Sequence, residues 1–382
     1  MLDAVVVGGG PAGSASARLL ASEGYSIRVL EEHPCSGRPV QCAGLVSAEV
    51  IRMSGVKPDV LSTLYGAEVV FPDGGRTVVR SSAPKLFSID RADLDEKMAG
   101  AAMDAGAEFS YGDRYSSHSV LADRVDIDSA SGGLSSRAII GADGHTSAVA
   151  SSLGDNGPRE YIRGVQADVR ADSGLDGLFR AHLGSRYAPG FFTWEFQCGD
   201  FVRVGLCTSW SAGPPYPYLK KMLDDMYPGR ERIALYSGKI PMGGRRAICG
   251  DRCMLIGDAA GQVKPVSAGG LHPMLSSVTI LSDVLSSALD ADDLSVRALR
   301  PYERRFRSGP GRELDRSYSL RKLFVRMSDE KISEAGRFSA REDVRRILDG
   351  IDIDHPGLVA KKVLTKPSLI PSAAALLLRC LL

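Results

Sequence analysis

Apolar positions fall in short blocks divided by glycine turns, and the first block sets the pattern. Leu2-Asp3-Ala4-Val5-Val6-Val7 has the length and composition of a buried strand. It stops at Gly8-Gly9-Gly10-Pro11-Ala12-Gly13, after which Ala, Ser and Leu recur at helical spacing to Ser22. A second apolar block, Ile27-Arg28-Val29-Leu30, ends on Glu31. Strand, glycine turn, helix, strand and acid is the order of a dinucleotide-binding unit. Gly8 allows the tight turn, Gly10 lets the backbone approach a pyrophosphate, and Gly13 lets helix and strand pack closely. The helix N-terminus offers free N–H groups and partial positive charge to phosphates. Glu31 stands where a carboxylate takes both hydroxyls of an adenosine ribose.

The same punctuation continues. A loop rich in Gly, Pro and Cys runs from Glu32 to Ser47, and a long loop beside a nucleotide fold usually carries function. Residues 67–80 alternate around Pro72-Asp73-Gly74-Gly75 and predict a hairpin. Leu86 to Ile89 predicts a strand, and Asp90 is placed to cap a helix from Arg91 to Gly106. Short strands are expected near 107–111, 118–127 and 134–140. The last opens into Gly141-Ala142-Asp143-Gly144, where a carboxylate on a glycine turn suits a ribose or a water bridge to a pyrophosphate. An ordinary Asp-Gly turn has the same sequence. Ile162 to Val169, Phe191 to Phe196 and Phe201 to Cys207 predict strands, and both tryptophans, Trp194 and Trp210, lie in this region. Inward aromatic faces there would wall an apolar ligand, or simply pack the sheet on its own core. A helix over 214–226 and a strand over Ile233 to Ile240 follow. Cys253-Met254-Leu255-Ile256-Gly257-Asp258-Ala259-Ala260-Gly261 again ends a buried strand in glycine and a carboxylate. Gly269-Gly270 then opens a helix from Leu271 to Leu289. From 293 onward the pattern is helical to the end.

Composition narrows the function classes. The 382 residues suffice for two interleaved domains, and the net charge of +1 supplies no long-range field for nucleic acid. Cys35, Cys42, Cys198, Cys207, Cys249, Cys253 and Cys380 are scattered without the Cys-x-x-Cys spacing of a metal site. No secretory leader is expected ahead of the first strand, and a reducing cytoplasm fits the cysteine usage. No stretch approaches the ~20 apolar residues of a membrane span. Residues 368–382 are apolar but interrupted by Pro371 and Arg379. Arginines from Arg297 to Arg326 make one stretch basic, which offers a peripheral contact to an anionic lipid surface on the inner face of the membrane.

Three nucleotide signatures in this order resemble the flavoprotein superfamily that includes p-hydroxybenzoate hydroxylase. Within it the chain is most similar to the geranylgeranyl reductases, particularly the archaeal digeranylgeranylglycerophospholipid reductases. Beyond the signatures, the resemblance rests on Gly37-Arg38-Pro39-Val40-Gln41-Cys42-Ala43-Gly44, on Arg91 heading its helix, on Phe192-Thr193-Trp194-Glu195-Phe196, and on Pro265 with Gly269-Gly270. It implies an α/β fold with α+β insertions. A Rossmann-like FAD-binding domain (1–66, 92–158 and 246–306) would interleave with a β-rich substrate domain (67–91 and 159–245). A C-terminal helical region (307–382) would complete it. Ala12, Gly13 and Glu31 would hold the ADP half of FAD. Arg91 and the backbone near Tyr115 would hold the adenosine and linker side. Asp143 and Asp258 would supply acids to the cofactor, and Gly270 and Leu271 would meet the ring. Cys42, Ala43 and Gly44 would lie against the isoalloxazine, and Phe192, Trp194 and Phe196 would line a lipid cavity. The chain departs from the family at Phe192 and Gln197, where Tyr and Pro are usual. It also lacks an acid after Cys42-Ala43, lacks the usual Arg in Ser147-Ala148-Val149-Ala150, and carries His272 after the double glycine.

The implied reaction saturates isoprenoid double bonds of membrane-lipid precursors, with hydride from reduced flavin and a proton to the other alkene carbon. Cys42 is the first candidate for the proton donor and His272 the second. NAD(P)H, ferredoxin or a reduced deazaflavin would be the electron donor. Two rival classes share these signatures: an FAD-dependent monooxygenase or halogenase, and a flavin- or lipid-binding protein without turnover. A quinone-linked dehydrogenase would need clustered cysteines, which 293–382 does not hold. Whether Cys35 and Cys42 pair stays open at the level of sequence.

Overall fold

The computed structural model describes residues 1–154, 157–349 and Asp354. The apolar stretch at 368–382 and Cys380 lie outside the described residues.

Leu2–Val7 runs parallel to Ile27–Glu31 on one side and to Gly132–Gly141 on the other. Glu108–Tyr111 extends the sheet beyond Ile27–Glu31, and Cys253–Leu255 extends it beyond Gly132–Gly141. Parallel strands are buried on both faces, which explains runs such as Ala4 to Val7, each at most 4% exposed. Each of the three valines contributes about 1.5–3 kcal/mol through burial. The helix Pro11–Ser22 packs on this sheet between Arg91–Asp104 and Leu271–Asp290. Two glycines make that close packing possible. A Cβ on Gly13 would lie 1.9 Å from the Gly8 carbonyl oxygen, and Gly8 itself takes φ +104°. Asp90 caps Arg91–Asp104 by accepting from the amides of Ala92 and Asp93.

A seven-stranded sheet forms the second layer. Its order is Arg232–Met242, Glu160–Val169, Phe201–Ser209, Thr193–Cys198, Leu178–His182, Gly66–Val70 and Arg76–Arg80. The outer face carries Val165, Ala167, Val202, Val204 and Leu206, and the helix Tyr216–Met226 covers it with Leu219, Met222 and Leu223. The inner face carries Ile162, Cys207 and Ile240 and meets Phe191, Met242, Val263 and Tyr318. A small sheet of Leu45–Val46, Leu86–Ile89 and Val60–Leu64 lies beside it.

The structure departs from the pattern reading in several places, among them the unpredicted helix Ala48–Ser54 and the strands Leu45–Val46 and Val60–Leu64 of the small sheet. The single strand expected over 118–127 is two, Tyr115–Val120 and Val125–Ser129, which pair antiparallel. Their turn, closed by Leu121 N–H to Arg124 O at 2.8 Å, contains neither Gly nor Pro and so gives no breaker signal. Leu178–His182 was not anticipated. It pairs parallel with Gly66–Val70 and so joins the early hairpin to the later strands.

The basic C-terminal stretch is partly neutralised within the fold. Arg305 pairs with Asp283 and Arg307 with Glu303, each at 2.8 Å, and Arg321 pairs with Glu160. Arg297, Arg300, Arg304, Arg312, Arg316 and Arg326 are exposed. Among the described residues no helix is long and apolar enough to cross a membrane.

Candidate active site

The glycine turns expected from the sequence are packed directly on one another. A Cβ on Gly8 would meet the Ala142 carbonyl oxygen at 2.4 Å, which seats the Asp143 turn on the first turn. A Cβ on Gly257 would lie 2.9 Å from that of Ala12, which seats the Asp258 turn on the first helix. A Cβ on Gly270 would lie 3.2 Å from Asp258 Oδ1, which brings in the start of Leu271–Asp290. Gln262 holds the Asp258 turn in place. Its Oε1 accepts from Gly257 N–H at 2.8 Å, while its Nε2 donates to Tyr302 OH, which donates to the Leu255 carbonyl.

Open groups face the space between these turns. Nothing lies within 4 Å of where a Gly10 Cβ would be, and neither Pro11–Ser22 nor Leu271–Asp290 has a side-chain cap. The Asp258 carboxyl has no hydrogen-bond partner among the described residues, and burial pushes its pKa up to about 6 against a pull from Arg91. Glu31 is engaged already. It accepts from Gly9 N–H at 2.7 Å and from His33 N–H at 2.9 Å, with His33 Nδ1 at 2.6 Å.

Cys42-Ala43-Gly44 lies between this space and the seven-stranded sheet. Gln166 Nε2 donates to the Cys42 carbonyl at 3.1 Å, and Trp194 Nε1 donates to Gln166 Oε1 at 3.3 Å. Arg203 Nη1 donates to the Ala43 carbonyl at 2.9 Å, while its Nε and Nη2 grip both oxygens of Asp168 at 2.7 and 2.8 Å. Gly44 takes φ +69°, and a Cβ there would lie 2.6 Å from the Ile89 carbonyl oxygen. From the other side, Arg91 is hydrogen-bonded to Asp95 through Nε and Nη2, with its charge in reach of the Cys42 thiol, which accepts from Gly44 N–H at 3.5 Å. Cys35 and Cys42 are both free thiols.

The expected wall residues share one parity and divide along the chain, with Trp194 touching both clusters. Trp194 and Phe192 pack with the inner cluster around Ile162 and Cys207, and Phe196 packs with Leu64, Ala43 and Leu45. Trp194 lies flat over Gly205, whose Cβ would fall 2.4 Å from the indole. Gln197, in place of the family's Pro, ties its hairpin by donating to the carbonyls of Gly199 and Phe201 and accepting from Ser173 N–H.

Other expected residues have local partners. Asp143 closes its own turn, accepting from Ser147 Oγ at 2.6 Å and Ala148 N–H at 2.7 Å. Tyr115 OH is 2.6 Å from His118 Nδ1, and burial with the nearby Asp143 charge pushes its phenol up to about 12. His272 lies in the first turn of its helix, within electrostatic reach of Glu49 and Asp354, whereas Cys42 lies against Arg91. Sequence reasoning missed Gln166, Asp168, Arg203 and Gln262. Their signal was a polar residue at an inward position of an otherwise apolar strand or turn.

Comparison with known proteins agrees with this geometry. A family model described as an FAD binding domain matches residues 1–185. A digeranylgeranylglycerophospholipid reductase of Methanothermobacter thermautotrophicus is 30% identical over 373 residues, covering 90% of this chain and 93% of that protein. The chain belongs to this reductase family. Its counterpart from Methanothrix thermoacetophila is likewise 30% identical, over 378 residues, with 90% and 93% covered. Among solved structures, a geranylgeranyl bacteriochlorophyll reductase-like protein of Thermoplasma acidophilum shares the fold. Its TM-score is 0.86 at 22% identity, with 98% of this chain and 99% of that one covered. The halogenase PltM in complex with phloroglucinol and FAD has a TM-score of 0.68 at 14% identity, with 93% and 87% covered.

FAD is the cofactor of this family fold, and the residues present suit it. The two uncapped helix starts would give N–H donors to its pyrophosphate and ring, nothing lies within 4 Å of a Gly10 Cβ, and the Asp258 carboxyl is an acceptor without a partner among the described residues.

The Asp258 carboxyl makes a prediction with a defined sign. Its ordinary value is 3.8, and folding raises it to about 6. Stability from this group is full below the unfolded value, falls as pH rises between the two, and is level above about 6. The apoprotein should lose on the order of 2–3 kcal/mol across that window. Asp258→Asn should remove this loss, stabilising the apoprotein at pH 7 to 8, yet weaken FAD binding by roughly tenfold as a charged acceptor oxygen is replaced by an amide NH2. Thermal unfolding against pH, paired with FAD titration, checks both signs.

Proposed function

We propose that the chain is an FAD-dependent reductase that saturates isoprenoid double bonds of membrane-lipid precursors. The observation that carries this is the placement of Cys42-Ala43-Gly44, tied by Gln166 and Arg203 to an apolar sheet face and by Arg91 to the nucleotide side. The names of the relatives support the substrate class.

Reduced FAD supplies a hydride to one alkene carbon. The chain's residues do the rest. The first helix start and Glu31 would hold the ADP half, Asp258 would accept from the ribityl chain, and the Gly270-Leu271 amides would meet the ring. An isolated alkene accepts hydride only as proton delivery to its less substituted carbon develops tertiary carbocation character at the carbon that takes the hydride, so water must be excluded. Phe192 and Trp194 supply aromatic faces that stabilise such charge. Cys42 Sγ delivers the proton, and the adjoining Arg91 guanidinium balances the charge left on sulfur. His272 is the second candidate for this step. A reductant must reload the flavin, and anaerobic titration with NAD(P)H, ferredoxin and reduced deazaflavin identifies it by which one bleaches the flavin. The exposed arginines between Arg297 and Arg326, with Leu320 39% and Val325 41% exposed among them, suit peripheral contact with an anionic membrane.

Three outcomes follow from this reading. Unsaturated isoprenoid lipid incubated with the chemically reduced protein should gain mass in steps of two hydrogens. One added oxygen would instead identify a monooxygenase, and unchanged lipid a binding protein. Cys42→Ser should slow single-turnover reoxidation of reduced flavin by lipid by about 100-fold while leaving FAD content intact. An unchanged rate would remove Cys42 from the mechanism. Finally, the protein should sediment with anionic vesicles at low salt and be released at high salt. Equal binding to neutral vesicles would exclude the arginine contact.

A further inference from the structure

Arg321 is a buried cation that its surroundings leave incompletely matched. It comes from the helix Pro310–Val325 and its side chain is 2% exposed. Its Nε donates to Glu160 Oε1 and its Nη1 donates to the Gly190 carbonyl at 3.1 Å. Its Nη2 is buried and has no hydrogen-bond partner among the described residues. The guanidinium carbon lies 5.4 Å from the Phe191 ring centroid, and its charge reaches the buried Cys207 thiol. Both belong to the inner apolar cluster of the seven-stranded sheet. A guanidinium nitrogen in such a place costs free energy until an acceptor reaches it, and a planar fork matches a phosphate better than any neutral oxygen.

The position of Arg321 along the sheet gives this orphan a direction. Glu160, Ile162, Gly164 and Gln166 share one face of their strand, because side chains alternate. Gln166 holds the Cys42 carbonyl at one end of the row and Glu160 holds Arg321 at the other. Six residues of strand separate them by about 20 Å. Between them Gly164 pairs directly with Gly238, so the face has no side chains there. The nearest atom to a Gly238 Cβ would be Gln41 Oε1 at 3.8 Å. The result is a shallow trough, with Cys207 and Ile240 beside Gly164. Charge at the Arg321 end is weighted positive. Arg159 lies 5.2 Å and Lys322 5.6 Å from the Tyr318 ring on the same helix, against Glu160 and Asp315.

We infer that Arg321 Nη2 anchors an anionic phosphate headgroup of the lipid substrate, so that the prenyl chain lies along the Gly164–Gly238 trough toward Cys42. This rests on the reductase reading and adds the direction in which substrate enters. Glu160 repels any anion at this place, so a bare phosphate gains little without a chain in the trough.

The test uses the full FAD-loaded chain and two probes with the same prenyl chain, geranylgeranyl phosphate and geranylgeraniol, titrated by the change in flavin absorbance. The wild type should bind the phosphate at least about tenfold more tightly than the alcohol. Arg321→Gln should abolish that preference while changing alcohol affinity less than about twofold, and Arg321→Lys should restore part of it. Inorganic phosphate should displace geranylgeranyl phosphate only weakly. Equal wild-type affinity for the two probes overturns the headgroup anchor, a result that needs no variant to fold. Equal weakening of both probes in Arg321→Gln also overturns it, since that marks a structural role. Displacement by inorganic phosphate as effective as by the lipid marks a free-phosphate site and overturns the lipid assignment. In each of these cases saturation of geranylgeraniol would leave the reductase reading standing. Failure of both probes to bind would take down both.

Discussion

A single buried guanidinium couples the two halves of this molecule. Arg203 projects from the seven-stranded sheet, grips both oxygens of Asp168, and spends its remaining nitrogen on the Ala43 carbonyl. The pair is nearly fully enclosed, at 7% and 6% side-chain exposure. Removing one member of such a pair typically costs about 3–5 kcal/mol, because the other is left charged and dry. The loop that Arg203 holds cannot drift without breaking that arrangement. Gln166 fixes the preceding carbonyl, and the Arg91–Asp95 pair brings a guanidinium charge within reach of the thiol from the opposite side. A segment of three residues is therefore held from the seven-stranded sheet, with the helix Arg91–Asp104 on its other side. A fully satisfied polar network of this kind specifies one geometry.

Around that seam the site is polar on one side and greasy on the other. On the nucleotide side, glycines bring three turns within van der Waals contact and leave N–H groups and the Asp258 carboxyl facing inward. On the sheet side, glycines do the reverse and clear a space. Gly205 seats the Trp194 indole, and Gly164 beside Gly238 lowers the floor. The same residue type thus serves close approach in one layer and vacancy in the other. Trp194 reports on both, since its N–H reaches Gln166, which holds the Cys42 carbonyl. Aromatic wall, amide and reactive loop form one hydrogen-bonded chain.

Much of this was legible because local chemistry and fold agree. The turns at Gly8, Asp143 and Asp258 were visible from glycine and acid placed directly after apolar runs, and Asp90 was visible as a cap. The long loop through Cys42 was legible as a functional stretch but not in its anchorage. Arg203 and Asp168 meet across neighbouring strands, and no spacing within one strand reveals a partner on the next. Arg321 is more distant still, reaching Glu160 from 161 positions along the chain. It sat inside a basic run whose other members are mostly exposed, so charge pattern concealed the one buried member. Asp143 shows the opposite limit. Its Asp-Gly sequence fitted either a cofactor acid or a turn, and the carboxylate closes its own turn.

The central claim is that FAD and an isoprenoid chain meet across Cys42-Ala43-Gly44. The most direct measurement is a crystal structure of the FAD-loaded protein soaked with a polyprenyl lipid. The expected density places the flavin ring between Cys42-Ala43-Gly44 and Gly270-Leu271, with the lipid on the inner sheet face against Trp194. A ring bound away from Cys42, or a lipid seated on the outer face beneath Tyr216–Met226, would contradict the claim.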